Sequence, residues 1–293
     1  MNHNTHHQQG IALLSVMLIC VIVALLASLM QQRSQQTIRH ATESGYYDYA
    51  YQEGLNAEQQ AIQYLLSGAE RAPDHTLQAG LIRQETLDTD YGIIKWRLRD
   101  MQSLFNLNLL NASEAKTTNA LAQCYLQRST SIFLPVNAVI DWMDSNHEPR
   151  ENGAESAYYQ SLAMAYMAAN RAMEREEELA FIRGISPNDA QEMLPFISIL
   201  PVDARINRMT AHPHITQCTK QSANAPNDAN NQASAGNDVL FTDKSSYFEV
   251  SSIITLGAYH FSMKSMLYLS GSMPVTILHR RFAPLLEHAS YDG

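Results

Sequence analysis

A run of twenty residues at positions 11–30, IALLSVMLICVIVALLASLM, constrains this chain more than any other feature, because it has no charge and only Ser15 and Ser28 as clearly polar side chains. A helix rises 1.5 Å per residue, so twenty residues cover about 30 Å, the thickness of the hydrocarbon layer of a bilayer. The segment reads as a membrane-spanning helix. A cleaved secretory signal is the alternative, but its apolar region usually has about 7 to 15 residues and ends in small residues at a cleavage site. Here the run continues into QQRSQQTIRH without a turn former. No Pro occurs between Gln31 and Ser67, and Ile38, Ala41, Ala50, Ala57, Ala61 and Leu65 recur near helical spacing, so one helix is expected from Ile11 to about Ser67. Gly45 and Gly54 lie inside it and each weakens an isolated helix by about 1 kcal/mol relative to Ala, enough to allow a local bend.

Beyond this helix the 293-residue chain is long enough for one large domain or two ordinary ones. Its composition, 45% hydrophobic and 17% charged, excludes a collagen, a coiled-coil rod and a wholly disordered chain. Twenty Lys and Arg against 29 Asp and Glu leave a net charge of −9, which lacks the basic field that nucleic-acid binding draws on. Residues 91–100, YGIIKWRLRD, alternate as a strand does, and YFEVSSIITLGAY, SMKSMLYLSG and VTILHRRF supply three more strand-like runs far downstream. One antiparallel sheet, interrupted in sequence, is expected. The block between reads as helical, at 115–127, 137–143, 154–169, 174–182 and 187–199. Within it ELAFIRGISPNDAQEMLPFI has the form of two short helices joined at Gly184, and its acidic flank EREEE would repel phosphate, so a structural use is expected.

The first ten residues, MNHNTHHQQG, end in Gln8, Gln9 and Gly10 and give way directly to the apolar run. That junction resembles the type IV prepilin signal, which implies that a prepilin peptidase cuts after Gly10 and methylates Ile11. Counting Lys and Arg alone would place the side carrying Arg33 and Arg39 in the cytoplasm; the prepilin reading reverses this. Most pilins and pseudopilins carry Glu five residues after the cut, where this chain has Ser15. A free ammonium at Ile11 in lipid is costly unless paired, and in such filaments the Glu of an incoming subunit is thought to neutralise the amine of the subunit above. A subunit lacking the acid suits the tip. The alternative is that Ser15 only packs against neighbouring helices, as small residues do in membranes.

An ordered series follows: YAYQEGLNAE at 49–58, FNLN at 105–108, VIDWMDSN at 139–146, GAESAYY at 153–159, MAANR at 167–171, EELAFIRGI at 177–185, Leu200 with Pro201, and INRMTA at 206–211. Over essentially the whole chain this resembles the type II secretion minor pseudopilin family called general secretion pathway protein K. Departures are Arg208 with Met209 and an added stretch at 221–238 rich in Asn, Ala and Ser, which reads as a flexible loop. The resemblance implies an α+β pseudopilin fold: a long N-terminal transmembrane helix packed on a small antiparallel sheet, with a large inserted all-α domain that holds a helix-hairpin-helix-like element. It implies a cleaved leader at 1–10, a transmembrane part at 11–30, the rest of the helix and the first strands at 31–108, the α-domain at 109–220, the loop at 221–238 and the closing strands at 239–293. It implies an inner-membrane protein with a periplasmic head that is no enzyme. The partners implied are other minor pseudopilins in a tip complex, the major pseudopilin below, the inner-membrane assembly platform and prepilin peptidase, with exoproteins or the secretin as further contacts. A type IV pilus minor pilin and a signal-anchored periplasmic receptor are the alternatives; the first need not carry the FNLN to INRMTA series, and the second would keep its leader.

Two candidate sites remain. Asp141, Asp144, Asn146, Glu148, Glu151 and Glu155 place hard oxygen donors within fifteen residues, and calcium takes about six to eight such oxygens in a flexible shell. A calcium site from Asp141, Asp144, Asn146, Glu148 and Glu155 is expected with the resemblance; a solvated acidic loop is the alternative. Cys124 and Cys218 flank the α-domain, and outside the cytoplasm a disulfide between them would persist; two free buried thiols are the alternative. Cys20 lies in the membrane run. His212 and His214 in AHPHI come with no nucleophile elbow, HExxH or phosphate-binding loop, so catalysis finds no support in the sequence.

Overall fold

Residues 5–67, 80–111, 115–223, 240–270 and 274–285 are described by the structure, a computed structural model. The chain divides into two compact units, residues 1–53 and 54–293. Helix α1 runs unbroken from Thr5 to Leu66, through Gly45 and Gly54. In the first unit, the stretch Val16–Gln36 is long and apolar enough to cross a membrane, and none of it is buried within the protein. Gly10, Ile11 and Ser15 lie in the first turns of α1, and their side-chain surroundings fall outside the described residues.

The second unit is built on a five-stranded antiparallel sheet. Strands β1 (Leu81–Thr89) and β2 (Gly92–Asp100) form one hairpin. The chain then leaves the sheet for 146 residues before returning as β7 (Tyr247–Leu256), β8 (Tyr259–Tyr268) and β9 (Thr276–Pro284), and the order across the sheet is β1-β2-β7-β8-β9. The 146-residue gap thus opens and closes on neighbouring strands. β1 had no clear signal in the sequence, since its LIRQETLDT is mostly polar and half-exposed. Inward positions of the sheet, Trp96, Leu98, Phe248, Val250 and Leu267, meet Ala57, Ala61 and Leu65 on the last turns of α1. These three are four residues apart and so share one helix face. Burying small Ala residues there lets the helix lie close to the sheet, and Gly54 extends the approach: a Cβ at that position would come within 2.7 Å of the Met263 side chain.

The inserted block contains α2 (Ala115–Thr130), α3 (Val136–Met143), α4 (Ser156–Gln160), α5 (Pro187–Met193) and α6 (Pro213–Ala223). Two short parallel bridges join distant parts of it, β3 (Phe105–Asn106) with β4 (Ile197–Ser198) and β5 (Ile206–Asn207) with β6 (Phe241–Thr242). The block is therefore mainly but not purely helical. It has its own core, centred on Phe105, Tyr125, Trp142, Tyr159, Leu179 and Ile215. Of the expected helix at 154–169 only α4 forms. Tyr159 stacks on Tyr166 with ring centroids 5.1 Å apart, whereas seven residues of continuous helix would separate them by about 10 Å along the axis. The chain turns at Ser161, whose hydroxyl donates to the Tyr158 carbonyl at 2.6 Å, and the aromatic cluster with Trp142 replaces the missing helix. The segment expected as helix at 174–182 is a 3-10 turn, Glu176–Phe181, and α5 follows Gly184 with a capping box between Ser186 and Asp189.

Candidate metal centre

Helix α3 is apolar on most of its surface, and its burial carries Asp141 inside with Trp142 and Met143. Asp144 caps the end of the helix, and the chain then loops through residues 145–153 before α4 starts beside Glu155. The loop closes over the helix because Gly153 lies against Asp141: a Cβ on Gly153 would fall 1.9 Å from Asp141 Oδ2. Only glycine fits there. As a result Asp141, Asp144 and Glu155 come together with one carboxylate oxygen from each lying within 4.8 Å of the others, and all three residues are buried.

The three acids are not equally satisfied. Arg150 Nη1 donates to Asp141 Oδ1 at 2.6 Å and also to Asp144 Oδ2, and the Arg150 backbone N–H donates to Asp141 Oδ2 at 3.0 Å. The Asn146 N–H donates to Asp144 Oδ1 at 3.2 Å. Both oxygens of Glu155 are buried without a hydrogen-bond partner, although the residue is only 3% exposed. Burial pushes the Glu155 carboxyl above its ordinary range, and the charges of Asp141 and Asp144 push it further. Leaving a buried carboxylate unpaired costs several kcal/mol, which a cation would offset. Of the other expected ligands, Asn146 and Glu148 stay exposed on the loop, where Asn146 Oδ1 accepts the Glu148 N–H at 2.8 Å, and exposed Glu151 offers its backbone carbonyl to Asn137.

Comparisons with known proteins place this geometry. The family model described as type II secretion system (T2SS), protein K, matches residues 103–202, the stretch that holds the three acids. A Pectobacterium carotovorum type II secretion system protein K is 25% identical across 94% of this chain and 96% of its own length. Its counterpart in Pseudomonas aeruginosa is 32% identical across 70% of this chain and 66% of its own. The chain belongs to the type II secretion system protein K family. It is a minor pseudopilin of that system. Its fold matches a chain of the GspK-GspI-GspJ complex of enterotoxigenic Escherichia coli with a TM-score of 0.67, covering 83% of this chain and 99% of that one at 18% identity.

Most of the ordered motif series serves the fold. In FNLN, Asn106 donates to the Pro201 and Ala204 carbonyls at 2.9 and 3.2 Å, and Asn108 donates to those of Met173 and Leu200 at 2.9 and 2.8 Å. Asn108 Oδ1 in turn accepts the Met173 N–H at 2.8 Å. Each amide thus staples segments more than sixty residues apart. In INRMTA, Thr210 donates to Asp100 Oδ2 at 2.5 Å, as Ser245 does at 2.6 Å, while Asp100 Oδ1 accepts the Gln102 N–H at 2.9 Å. Buried Asp100 therefore ties the chain where it leaves the sheet to the chain where it comes back. No sequence pattern marked Asp100, the last residue of a strand with charged neighbours.

Part of the acidic flank of the hairpin element reaches the sheet, while Glu174 and Glu177 keep their solvent exposure. Glu176 approaches Lys264 at 3.8 Å, Lys264 also lies 3.8 Å from Glu249, and Glu177 pairs with Arg281. Burial raises the Glu176 carboxyl, whereas the hydrogen bond from Arg281 lowers that of Glu177. Cys124 on α2 and Cys218 on α6 form a disulfide, with Cα atoms 5.9 Å apart. Neighbouring His212 packs edge-on to Tyr125 and Phe196, and burial, His214 and Arg99 depress its pKa to about 4. It is a neutral, half-buried ring at the edge of the block's core. Most of the loop at 221–238 lies outside the described residues, its first three forming the end of α6.

Proposed function

We propose that this protein is the tip subunit of the type II secretion pseudopilus, which initiates and caps the filament that drives folded exoproteins through the outer-membrane secretin. The observation that carries the reading is the fold match to GspK, whose structure was determined in complex with GspI and GspJ; the corresponding minor pseudopilins are the partners proposed here. Ser15 in place of the usual Glu supports a place above all other subunits. The chain is anchored in the inner membrane by its first helix with the head in the periplasm, and the disulfide in the head supports that side of the membrane. The role is mechanical and not enzymatic, in keeping with relatives named as components of a secretion system.

Maturation follows from the same reading. Prepilin peptidase removes residues 1–10 after Gly10 and methylates the new N-terminus at Ile11. Mass spectrometry of the protein purified from its own membranes tests this: a methylated Ile11 is expected, and an intact Met1 would overturn the pseudopilin maturation. Asp141, Asp144 and Glu155 would hold a structural calcium ion, a hard cation that neutralises buried carboxylates and ties α3 to the start of α4. The unpartnered Glu155 oxygens support this. Calcium at a hundred times its Kd would then stabilise the head by about 2.7 kcal/mol. Thermal melting with and without chelator reads that directly, and an unchanged melting temperature would exclude a structural ion.

A further inference from the structure

We propose that Arg150 is a resident counter-ion of the acidic cluster, which an incoming divalent cation must displace. The inference rests on the cation reading above and adds a competitor to it. One guanidinium nitrogen, Arg150 Nη1, donates to both Asp141 and Asp144. It therefore sits between the two carboxylates and takes up oxygens that a cation held by both would contend for. The third acid is outside its reach in hydrogen-bonding terms, since neither Glu155 oxygen has a partner. One guanidinium thus serves two of the three carboxylates while supplying a single positive charge, and a divalent cation that also reaches Glu155 relieves the penalty that remains.

The two sides of this competition differ in mobility. The Asp141 side chain is fully buried and that of Asp144 is 10% exposed, whereas the Arg150 side chain is 37% exposed. Arginine can swing into water while the carboxylates stay. The loop need not open when it does, because the Arg150 backbone N–H holds Asp141 Oδ2 and the absent side chain of Gly153 keeps the backbone in contact with the same carboxylate. Arg150 then does two things. It keeps the cation-free head folded by covering a buried carboxylate pair, and it weakens cation affinity by the fraction of molecules in which the site is taken.

Calcium titration calorimetry and thermal melting of the full chain in detergent, comparing wild type with Arg150→Gln and Arg150→Lys, test this. If Arg150 blocks the site in nine molecules of ten, Arg150→Gln binds calcium about tenfold more tightly and Arg150→Lys falls between. With chelator, Arg150→Gln melts below wild type, while the calcium-loaded proteins melt together. An unchanged or weaker Kd in Arg150→Gln, or equal losses of melting temperature with and without calcium, would overturn the proposal and leave Arg150 as scaffold. The site reading itself fails separately: neither wild type nor Arg150→Gln would bind calcium, or binding would survive loss of the Asp141 and Glu155 carboxylates. Calcium binding by Arg150→Gln with none by wild type would support the displacement, with arginine as the stronger occupant.

Discussion

Glu58 sits at 1% exposure in the last third of α1, and a single guanidinium makes that tolerable: Arg280 Nε and Nη2 donate to its two oxygens at 2.9 and 2.6 Å. The planar fork of arginine matches a carboxylate in a way that lysine cannot. Because removing one partner leaves the other charge buried and uncompensated, Arg280→Gln is expected to destabilise the head by about 3 kcal/mol, measured by denaturant unfolding, and the double variant Glu58→Gln, Arg280→Gln should recover more than half of that loss. A single loss no larger than in the double variant would show the pair to be unimportant. Residues of this kind are hard to read from sequence. Glu58 looked like one polar position on a long helix, and only the fold discloses an Arg more than two hundred positions away. Asp100 was equally mute, and the FNLN motif marked Asn106 and Asn108 without their contacts, since a side chain that staples distant backbone segments has no local pattern.

At the scale of elements, legibility follows the range of the interactions that make them. The strands β2, β7 and β8 were legible because alternation of inward and outward positions is written into neighbouring residues, whereas β9, exposed along most of its length, was legible from the β-branched start of its run. β1 was not, because its polar residues form a strand only through pairing with β2. The segment after α4 was misread as helix for a similar reason: helix formers such as Ala and Met fill 162–169, yet stacking of Tyr159 on Tyr166 decides its path. The candidate site was partly legible. Its acids stood in the sequence, but which three converge depends on Gly153 folding the loop back on α3. The α2 to α6 pairing was suggested by cysteine placement, although α6 itself was not anticipated. The disulfide closes a separation of 94 residues, so Cys124→Ser with Cys218→Ser should cost roughly 4 to 5 kcal/mol in the chain-entropy model. Comparison of urea midpoints for the oxidised protein and the double variant checks this; a difference below about 1 kcal/mol would mean that the reduced chain keeps α2 and α6 docked unaided.

For the whole molecule, the two cores divide the labour. One lies between α1 and the sheet, the other inside the inserted block, and what joins them is partly apolar, the buried cluster of Met266 and Met101 with Leu104, Leu200 and Ala204, and partly polar: Asp100 with its three donors, and the pairs Glu176 with Lys264 and Glu177 with Arg281. The chain enters the block after β2 and leaves it before β7, and these strands are adjacent, which puts the two attachment points only about 5 Å apart across the sheet. Two adjoining strand ends make a narrow base for a block of this size. A sideways load on the block would act as a lever about that base, opposed by the hydrogen bonds to Asp100, by the apolar cluster of Met266 with Leu200 and Ala204, and by the outlying ion pairs.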